Sequence, residues 1–419
     1  MSDLSIARYF PFERARVVHQ GKFYDAASSL IWIEPDLRFV PRCHRCQSPA
    51  AGVHEQGFHR IVRDLNPAAH KTFLDVCYRK VRCPVCGAVH VEHLSFCDAG
   101  SRITHRLAKY IYELCKVLTV EEVARHLDLD PKTIKAVDYN SLLEEFGPTD
   151  YEGLRILAVD EIAVKKGHRY MTVVLDYLTG RVVWMGEGRD KETLERFFNG
   201  MTPEQKVKIE AVAMDMWEPC INRVRHHCPQ AKIVFDGFHV IKAFGKVIDE
   251  VRRDEYRQAS AEEKKVIQGS RYVLLKNIDN LSDPQRDHLQ QLREMNETLN
   301  TLYILKDQLK TLLGYVDRTP AEKALGAWCE MARTIPHPSV QKFIGRLRFF
   351  AYGILNHCDY AIDTGKLEGV NNKIKLIKRR AFGYHDPDYF ALKVKQAFAG
   401  KSPAKKNEQQ STWLSSLPF

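Results

Sequence analysis

Three acidic residues, far apart along the chain, carry the first chemical signal. Asp160 follows the apolar run ILAV, Asp215 follows EAVAM, and Glu368 lies within KLEGVNNKIKLIKRR. An apolar strand-like run that stops at an aspartate predicts a carboxylate projecting from a strand tip. Two such carboxylates on adjacent strands could share a divalent cation, because hard Mg²⁺ takes oxygen ligands. Two ions ~3.5–4 Å apart can clamp the attacking and leaving oxygens of a phosphoryl transfer. Asp236, at the end of KIVF, is the rival to Asp215, with His239 three residues further on. Glu161 and Asp176 are lesser rivals. Each aspartate alone is equally well explained as a turn cap, so the pairing is what carries weight. Glu368 is an acid in a helix crowded with Lys366, Lys373, Lys375, Lys378, Arg379 and Arg380. It reads either as an intrahelical salt bridge to Lys366 or Lys375, or as a metal ligand among phosphate-binding cations. Asn371 and Lys375 fall one and two turns further along the same helix face.

A second metal signal lies in the cysteines. Cys43-His-Arg-Cys46 and Cys83-Pro-Val-Cys86 are two C-x-x-C pairs. A tight turn brings positions i and i+3 onto one ion, and two such turns complete a tetrahedral zinc site. The gap between the pairs is longer than in a usual zinc ribbon. A redox pair or two unrelated turns are the alternatives. Cys77 and Cys97 lack partners at ligand spacing and read as ordinary core cysteines, and His44 and His90 are weak substitute ligands.

Residues 118–137 have the pattern of a helix-turn-helix. Thr119 and Glu122 form a capping box, Asp130 and Pro131 can open a second helix, and Val123, Ala124, Leu127, Leu129, Ile134 and Val137 supply the apolar spacing. Asp128 stands where a turn glycine is usual and can tolerate a left-handed conformation. Lys132, Thr133 and Lys135 would then face a DNA groove. The alternative is a plain helical hairpin between domains.

These elements sit in a chain of 419 residues with a net charge of +10 and 44% hydrophobic residues. That is long enough for several domains, and the charge favours an anionic partner. No apolar run reaches the ~18 residues needed to cross a bilayer, and the N-terminus lacks the pattern of a signal peptide. A cytoplasmic, nucleoid-associated protein with reduced thiols is expected. The periodicity predicts a zinc-binding region over 1–100 and a helix-turn-helix domain over 101–150. A β-rich core should start over 151–245 and a helical segment span 246–350. The core then resumes over 351–400 with the Glu368 helix at about 365–380, and a loose tail spans 401–419. Strands in the order β-β-β-α-β-α-β over 154–240 predict a mixed sheet covered by helices. Residues 286–315 read as one long amphipathic helix. Trp328, within the helical segment, is either core or a surface for stacking on an unpaired base.

Taken together, LAVDEIAVKKGHRY, VAMDMWEPC, IVFDGFHVIKAF and LEGVNNKIKLIKRRAFGYHD resemble the ISL-three family of bacterial insertion-sequence transposases, in order over nearly the whole chain. The cysteine quartet and helix-turn-helix fit the DNA-binding region of that family. The resemblance implies an α/β multidomain protein with an RNase H-like core interrupted by an all-helical insertion. It implies that Asp160 and Glu368 are the first and last catalytic acids. Related transposases with such an insertion carry a C/D-x-x-H motif after their second catalytic aspartate. Asp236-Gly-Phe-His239 fits it, which points to Asp215 as the second ligand and leaves Asp236 and His239 as supporting residues. The implied cofactors are Mg²⁺ or Mn²⁺ at the acids and structural Zn²⁺ at the cysteines. The implied partners are the element's terminal inverted repeats and a target duplex, bound by a homo-oligomer. The implied chemistry is phosphoryl transfer: water cuts the element's end, and the 3′ hydroxyl so formed attacks target DNA. Lys132, Thr133, Lys135, Asn371, Lys375, Lys378, Arg379 and Arg380 are the expected DNA contacts. Two other functions use part of this set: a DNA-binding regulator without catalysis, and an RNase H-like nuclease that cuts without rejoining.

Overall fold

The computed structural model describes residues 12–22, 28–66, 70–165, 169–362 and 364–399. The expected tail 401–419 lies outside them. The chain divides into two compact units, Met1–Glu145 and Phe146–Phe419.

The first unit opens with a sheet of β1 (Ala15–Lys22), β2 (Ser28–Pro35), β3 (Gly52–Asp64), β4 (Lys71–Arg82) and β5 (Val89–Val91). Its order is β1-β2-β4-β3, with β5 paired to β4. Cys77 lies on β4, whose alternation buries Leu74 and Val76 against Ile31, Ile33 and Val62. Three helices follow: α1 (His105–Val117), α2 (Val120–Leu127) and α3 (Pro131–Phe146). They close over Leu107, Ile111, Val123, Ala124, Leu127 and Ile134. Buried Asp64 ties them to the sheet, accepting from the Thr104 hydroxyl at 2.6 Å and from Arg106 Nε at 2.6 Å.

The second unit is built on β6 (Ile156–Lys165), β7 (Arg169–Asp176), β8 (Val182–Glu187), β9 (Ala211–Met214) and β10 (Lys232–Phe235). Helices α4 (Lys191–Asn199) and α5 (Pro203–Val207) join β8 to β9, and α6 (Glu218–His227) joins β9 to β10. The sheet order is β10-β9-β6-β7-β8, with β6, β7 and β8 antiparallel and β9 and β10 parallel to β6. This is the mixed sheet the sequence predicts. All four residues of β9 are buried, as expected of a parallel strand covered on both faces. Asp176, a lesser rival for the site, accepts from the Leu178 N–H at 3.1 Å and the Thr179 hydroxyl at 2.5 Å, which makes it the cap of the β7–β8 turn.

After β10 come α7 (Gly237–Gln258), α8 (Ala261–Ile267), α9 (Arg271–Leu275), α10 (Asp283–Met295), α11 (Glu297–Leu312), α12 (Arg318–Arg333), α13 (Pro338–Phe349) and α14 (Ala351–Leu355). The single helix expected over 286–315 is broken at Asn296. Its side chain caps α11 by accepting from the Leu299 N–H at 2.8 Å and donates to Glu255 at 2.7 Å. A good N-cap therefore overrides an unbroken apolar period. Trp328 is 2% exposed, its Nε1 donates to the Leu305 carbonyl at 2.7 Å, and it packs on Phe244 and Phe343. Of its two readings, core packing is the one observed. The chain returns to the sheet with α15 (Thr364–Arg380), close to the expected helix, and α16 (Pro387–Ala397). Ile374, Phe390 and Val394 from these helices pack on Ala158, Ile162 and Ala213.

Candidate active site and zinc knuckles

The acid site follows from strand register. β9 pairs with β6 through Ala158↔Ala213, and with β10 through Met214↔Phe235. Two residues beyond the first pair stand Asp160 and Asp215, and one beyond the second stand Asp215 and Asp236. Three aspartates thus line up across three parallel strands, Asp215 and Asp236 just past the carboxyl ends of β9 and β10, the side where open α/β sheets hold their ligands, and Asp160 level with them on β6. Alternation puts them on a common side. Ala158, Ala213 and Val234, each an even step back from one aspartate, belong to the core beneath α15 and α16.

One expectation needs correction. Asp160 is not at a strand tip, because β6 runs on to Lys165 and Asp160 pairs with Val173. On the β9 side its edge of β6 has no paired strand, since the β6–β9 pairing ends at Ala158 and β9 stops at Met214. The sheet ends locally rather than at β6 itself.

The last helix docks on this edge. Asn371 Nδ2 of α15 donates to Asp160 Oδ2, and the Glu161 N–H donates to Asp160 Oδ1 at 2.7 Å. Glu368 lies one turn before Asn371 and is exposed. Lys366 reaches the Tyr177 and Leu178 carbonyls and stacks over the Tyr177 ring, so its position is set without Glu368. Glu368 is not drawn into one ligand group with Asp160 and Asp215: among the described residues, the group of possible metal ligands within 4.8 Å of one another is the cysteine quartet. Lys375, Arg379 and Arg380 are exposed along the same helix, and Lys378 is half-buried.

The electrostatics are those of crowded carboxylates. Burial pushes the Asp160 carboxyl up, against the hydrogen bonds from Asn371 and Glu161. Glu161 rises to about 7, through burial first and then repulsion from Asp215 and Asp160. His239 forms an ion pair with Asp215 and lies 3.3 Å from Asp236. Burial opposes its charge, but the two carboxylates outweigh burial and lift it to about 10. Anionic oxygens that repel one another and recruit an imidazolium are a donor set suited to a hard divalent cation.

Asp215 and Asp236 differ in what they do. Asp236 is 7% exposed and caps α7, accepting from the Phe238 N–H at 2.8 Å. Asp215 is open and lines a cleft of about 410 Å³ with Glu161, Arg189, Trp217, His239, Lys242, Lys246 and Arg346. The sequence ranks Glu161 as a minor rival and passes over Arg189, Trp217, Lys242, Lys246 and Arg346. Only the D-M-W spacing after β9 could have drawn attention to Trp217.

The cysteine site is complete. Sγ atoms of Cys43, Cys46, Cys83 and Cys86 all lie within 4.8 Å of one another. The two turns share one design. The Gln47 N–H donates to the Cys43 carbonyl at 2.8 Å, and the Gly87 N–H to the Cys83 carbonyl at 3.0 Å. Gln47 and Gly87 are both left-handed, at φ 57° and 68°. Cys43 and Cys83 then donate backbone N–H groups to Ser48 and Ala88, each at 3.0 Å. Glu92 forms a β-bridge with Cys43, and its Oε2 accepts from both Nε and Nη2 of Arg79 in a buried ion pair, at 2.9 and 2.6 Å, which ties the first turn to β4. Cys97 is buried beside Arg60 at 3.2 Å, apart from the quartet. His44 Nδ1 is 3.0 Å from the Val91 carbonyl, and His44 and His90 contact each other rather than joining the quartet.

In the helix-turn-helix, Thr119 and Glu122 form the expected capping box and Asp128 is left-handed at φ 52°. Asp130 accepts from the Lys132 N–H at 2.7 Å. Lys132 and Lys135 are exposed and Thr133 half-buried at the start of α3.

Residues 157–394 match a family model described as transposase, and residues 92–140 match the helix-turn-helix domain of transposase family ISL3. The transposase for insertion sequence element IS1001 of Bordetella parapertussis is 38% identical over 375 residues, 89% of this chain and 92% of that one. The transposase for insertion sequence element IS1557 of Mycobacterium tuberculosis is 26% identical over 408 residues, 90% of each chain.

Proposed function

The chain belongs to transposase family ISL3, and from that premise we propose that it cuts and rejoins DNA at the ends of a bacterial insertion sequence with Asp160, Asp215 and Glu368 as its metal-binding acids. The observation that carries this reading is the shared register of Asp160 and Asp215, with α15 held to Asp160 by Asn371. The order of the sheet, antiparallel β6-β7-β8 followed by parallel β9 and β10, supports an RNase H-like core with α7–α14 as the helical insertion.

Asp160, Asp215 and Glu368 would hold Mg²⁺ or Mn²⁺, which supplies Lewis acidity at the scissile phosphate when bound. The protein's own contribution is position and charge. Asn371 orients the Asp160 carboxylate. His239 holds Asp215 from one side while Asp236 fixes the first turn of α7 that carries His239. Glu368 lies one turn from Asn371, which touches Asp160, so on this reading it would turn toward Asp160 when metal and DNA bind. That Asp215 opens into the cleft while Asp236 is committed to capping supports Asp215 as the second ligand. Lys375, Lys378, Arg379 and Arg380 continue α15 as a row of phosphate-binding cations.

The cysteine quartet would hold structural Zn²⁺. Four thiols on two matching turns fit that ion and leave no open position for substrate. Lys132, Thr133 and Lys135 at the start of α3 would read the terminal repeat in the major groove. Two element ends must be handled together, which favours a homo-oligomer on DNA.

The test is excision from a donor plasmid carrying the element's own ends, with Mg²⁺ supplied. Wild type should nick the ends and transfer them, and Asp160→Ala should do neither while still binding the ends. Retained strand transfer in that variant would refute the assignment. Nicking by wild type without transfer would favour a simple nuclease.

A further inference from the structure

The cleft beside Asp215 contains more than the acid site needs. Trp217, two residues after Asp215, is 50% exposed, and Phe238 nearby is 44% exposed. The backbone that carries Trp217 is held in place: the Trp217 backbone N–H donates to the Asp215 carbonyl at 2.7 Å, and Arg346 Nη2 donates to the Met216 carbonyl at 3.1 Å. Around it stand Arg189, Lys242, Lys246 and Arg346. Lys242 and Lys246 are exposed, one helical turn apart on α7, so their stems are about 6 Å apart along the axis. Arg189 leans over the Tyr170 ring at 4.3 Å.

The contrast with Trp328 is instructive. That tryptophan is buried with its N–H satisfied, as a core residue should be. Trp217 leaves an indole face open in a cation-lined cleft at the mouth of the acid site. Aromatic faces set among phosphate-binding cations are how proteins hold unpaired nucleotides, since every base offers a π-face and every linkage a negative charge. A paired base hides its faces in the stack, so only an unpaired or extruded base can use this one.

We infer that this cleft is a subsite for an unpaired nucleotide of the DNA strand being cut, with Trp217 stacked on its base and Lys242, Lys246 and Arg189 on the neighbouring phosphates. The inference rests on the reading of the chain as a DNA-cutting enzyme, but its test requires no cutting. Full-length protein, zinc-loaded and without magnesium, is titrated with an oligothymidylate dodecamer and with an abasic dodecamer of equal charge. Wild type should prefer the base-bearing strand by about tenfold. Trp217→Ala should lose that preference with unchanged affinity for the abasic strand, and Trp217→Phe should keep most of it. Lys242→Gln and Lys246→Gln should weaken both strands alike and flatten the salt dependence. A wild type without base preference, or a Trp217→Ala protein that keeps it, overturns the subsite. Wild type that fails to excise the element yet shows the Trp217-dependent preference would sink the proposed function and leave the subsite standing.

Discussion

The two candidate metal sites were assembled by different means, and the difference explains why one is closed and the other is open. The cysteine quartet comes from two local turns of the same design, each closed by backbone hydrogen bonds and a left-handed residue. Its ligands are already within 4.8 Å of one another. The acid site draws on β6, the end of β9 and α15, and only sheet register and helix docking bring those together. Asp160 and Asp215 are aligned, and Glu368 stays exposed one turn from the contact that docks its helix. A structural ion needs a finished cage, whereas a catalytic one must admit substrate.

The largest test of that comparison is to break the cage. Cys83→Ser should lose zinc and unfold the Met1–Glu145 unit, since a structural zinc contributes an apparent ~10–16 kcal/mol. Zinc content, protease sensitivity of that unit and binding to the element's ends should fall together. The Phe146–Phe419 unit, with its separate core, should keep its helical signal. A variant that holds zinc and binds DNA as wild type does would mean the quartet is no structural site.

Breaking the open site should cost activity and not stability. Asp160→Ala, Asp215→Ala and Glu368→Gln should each lower strand cleavage about a thousandfold, the rate equivalent of losing several kcal/mol of charge stabilisation. The melting temperatures of Asp215→Ala and Glu368→Gln should stay within a few degrees of wild type, because both residues are exposed, whereas Asp160→Ala also removes the contact with Asn371 that docks α15. If Glu368→Gln cleaves normally, α15 positions Asn371 and contributes no ligand.

Asp236 sharpens the choice within the site. Asp236→Ala removes the cap of α7 and should cost about 1 kcal/mol of stability. Cleavage should fall far less than in Asp215→Ala, because His239 keeps its contact with Asp215. The reverse ranking of the two variants in cleavage would exchange their roles.

The same contrast governs what could be read from the sequence. The knuckles, the capping box at Thr119 and the left-handed Asp128 are local, so residue type and spacing disclose them. The helix bearing Glu368 is legible for the same reason. The break at Asn296 is not, because the apolar period continues through it and only a cap and a bond to Glu255 decide the outcome. β3 is also obscure, since most of its residues are exposed and supply no alternation. The mid-strand position of Asp160, the entry of Glu161 into the cleft and the exposure of Trp217 depend on where β9 stops beside β6. Register between strands half a hundred residues apart leaves no mark on either segment alone.

A buried charge outside both candidate metal sites gives the finest test. Lys306 is 1% exposed in the helical segment and donates to the carbonyls of Leu274 at 2.6 Å and Lys276 at 2.8 Å. Burial outweighs the help from Asp307 and pulls its amine from 10.5 down to about 8. The folded chain therefore releases this proton at lower pH than the unfolded chain does. Between about pH 8 and 10.5 the unfolded state binds more protons, so stability gained from this residue rises with pH over that window. Below pH 8 both states are protonated and the burial penalty is fully present. Urea midpoints measured at pH 7.5, 9 and 10 should thus fall less steeply, or rise, in wild type relative to Lys306→Met, where that proton is absent. Parallel pH profiles for the two proteins would show that the Leu274 and Lys276 carbonyls, with Asp307 beside them, hold the ammonium as well as water does, so that burial leaves this amine unshifted.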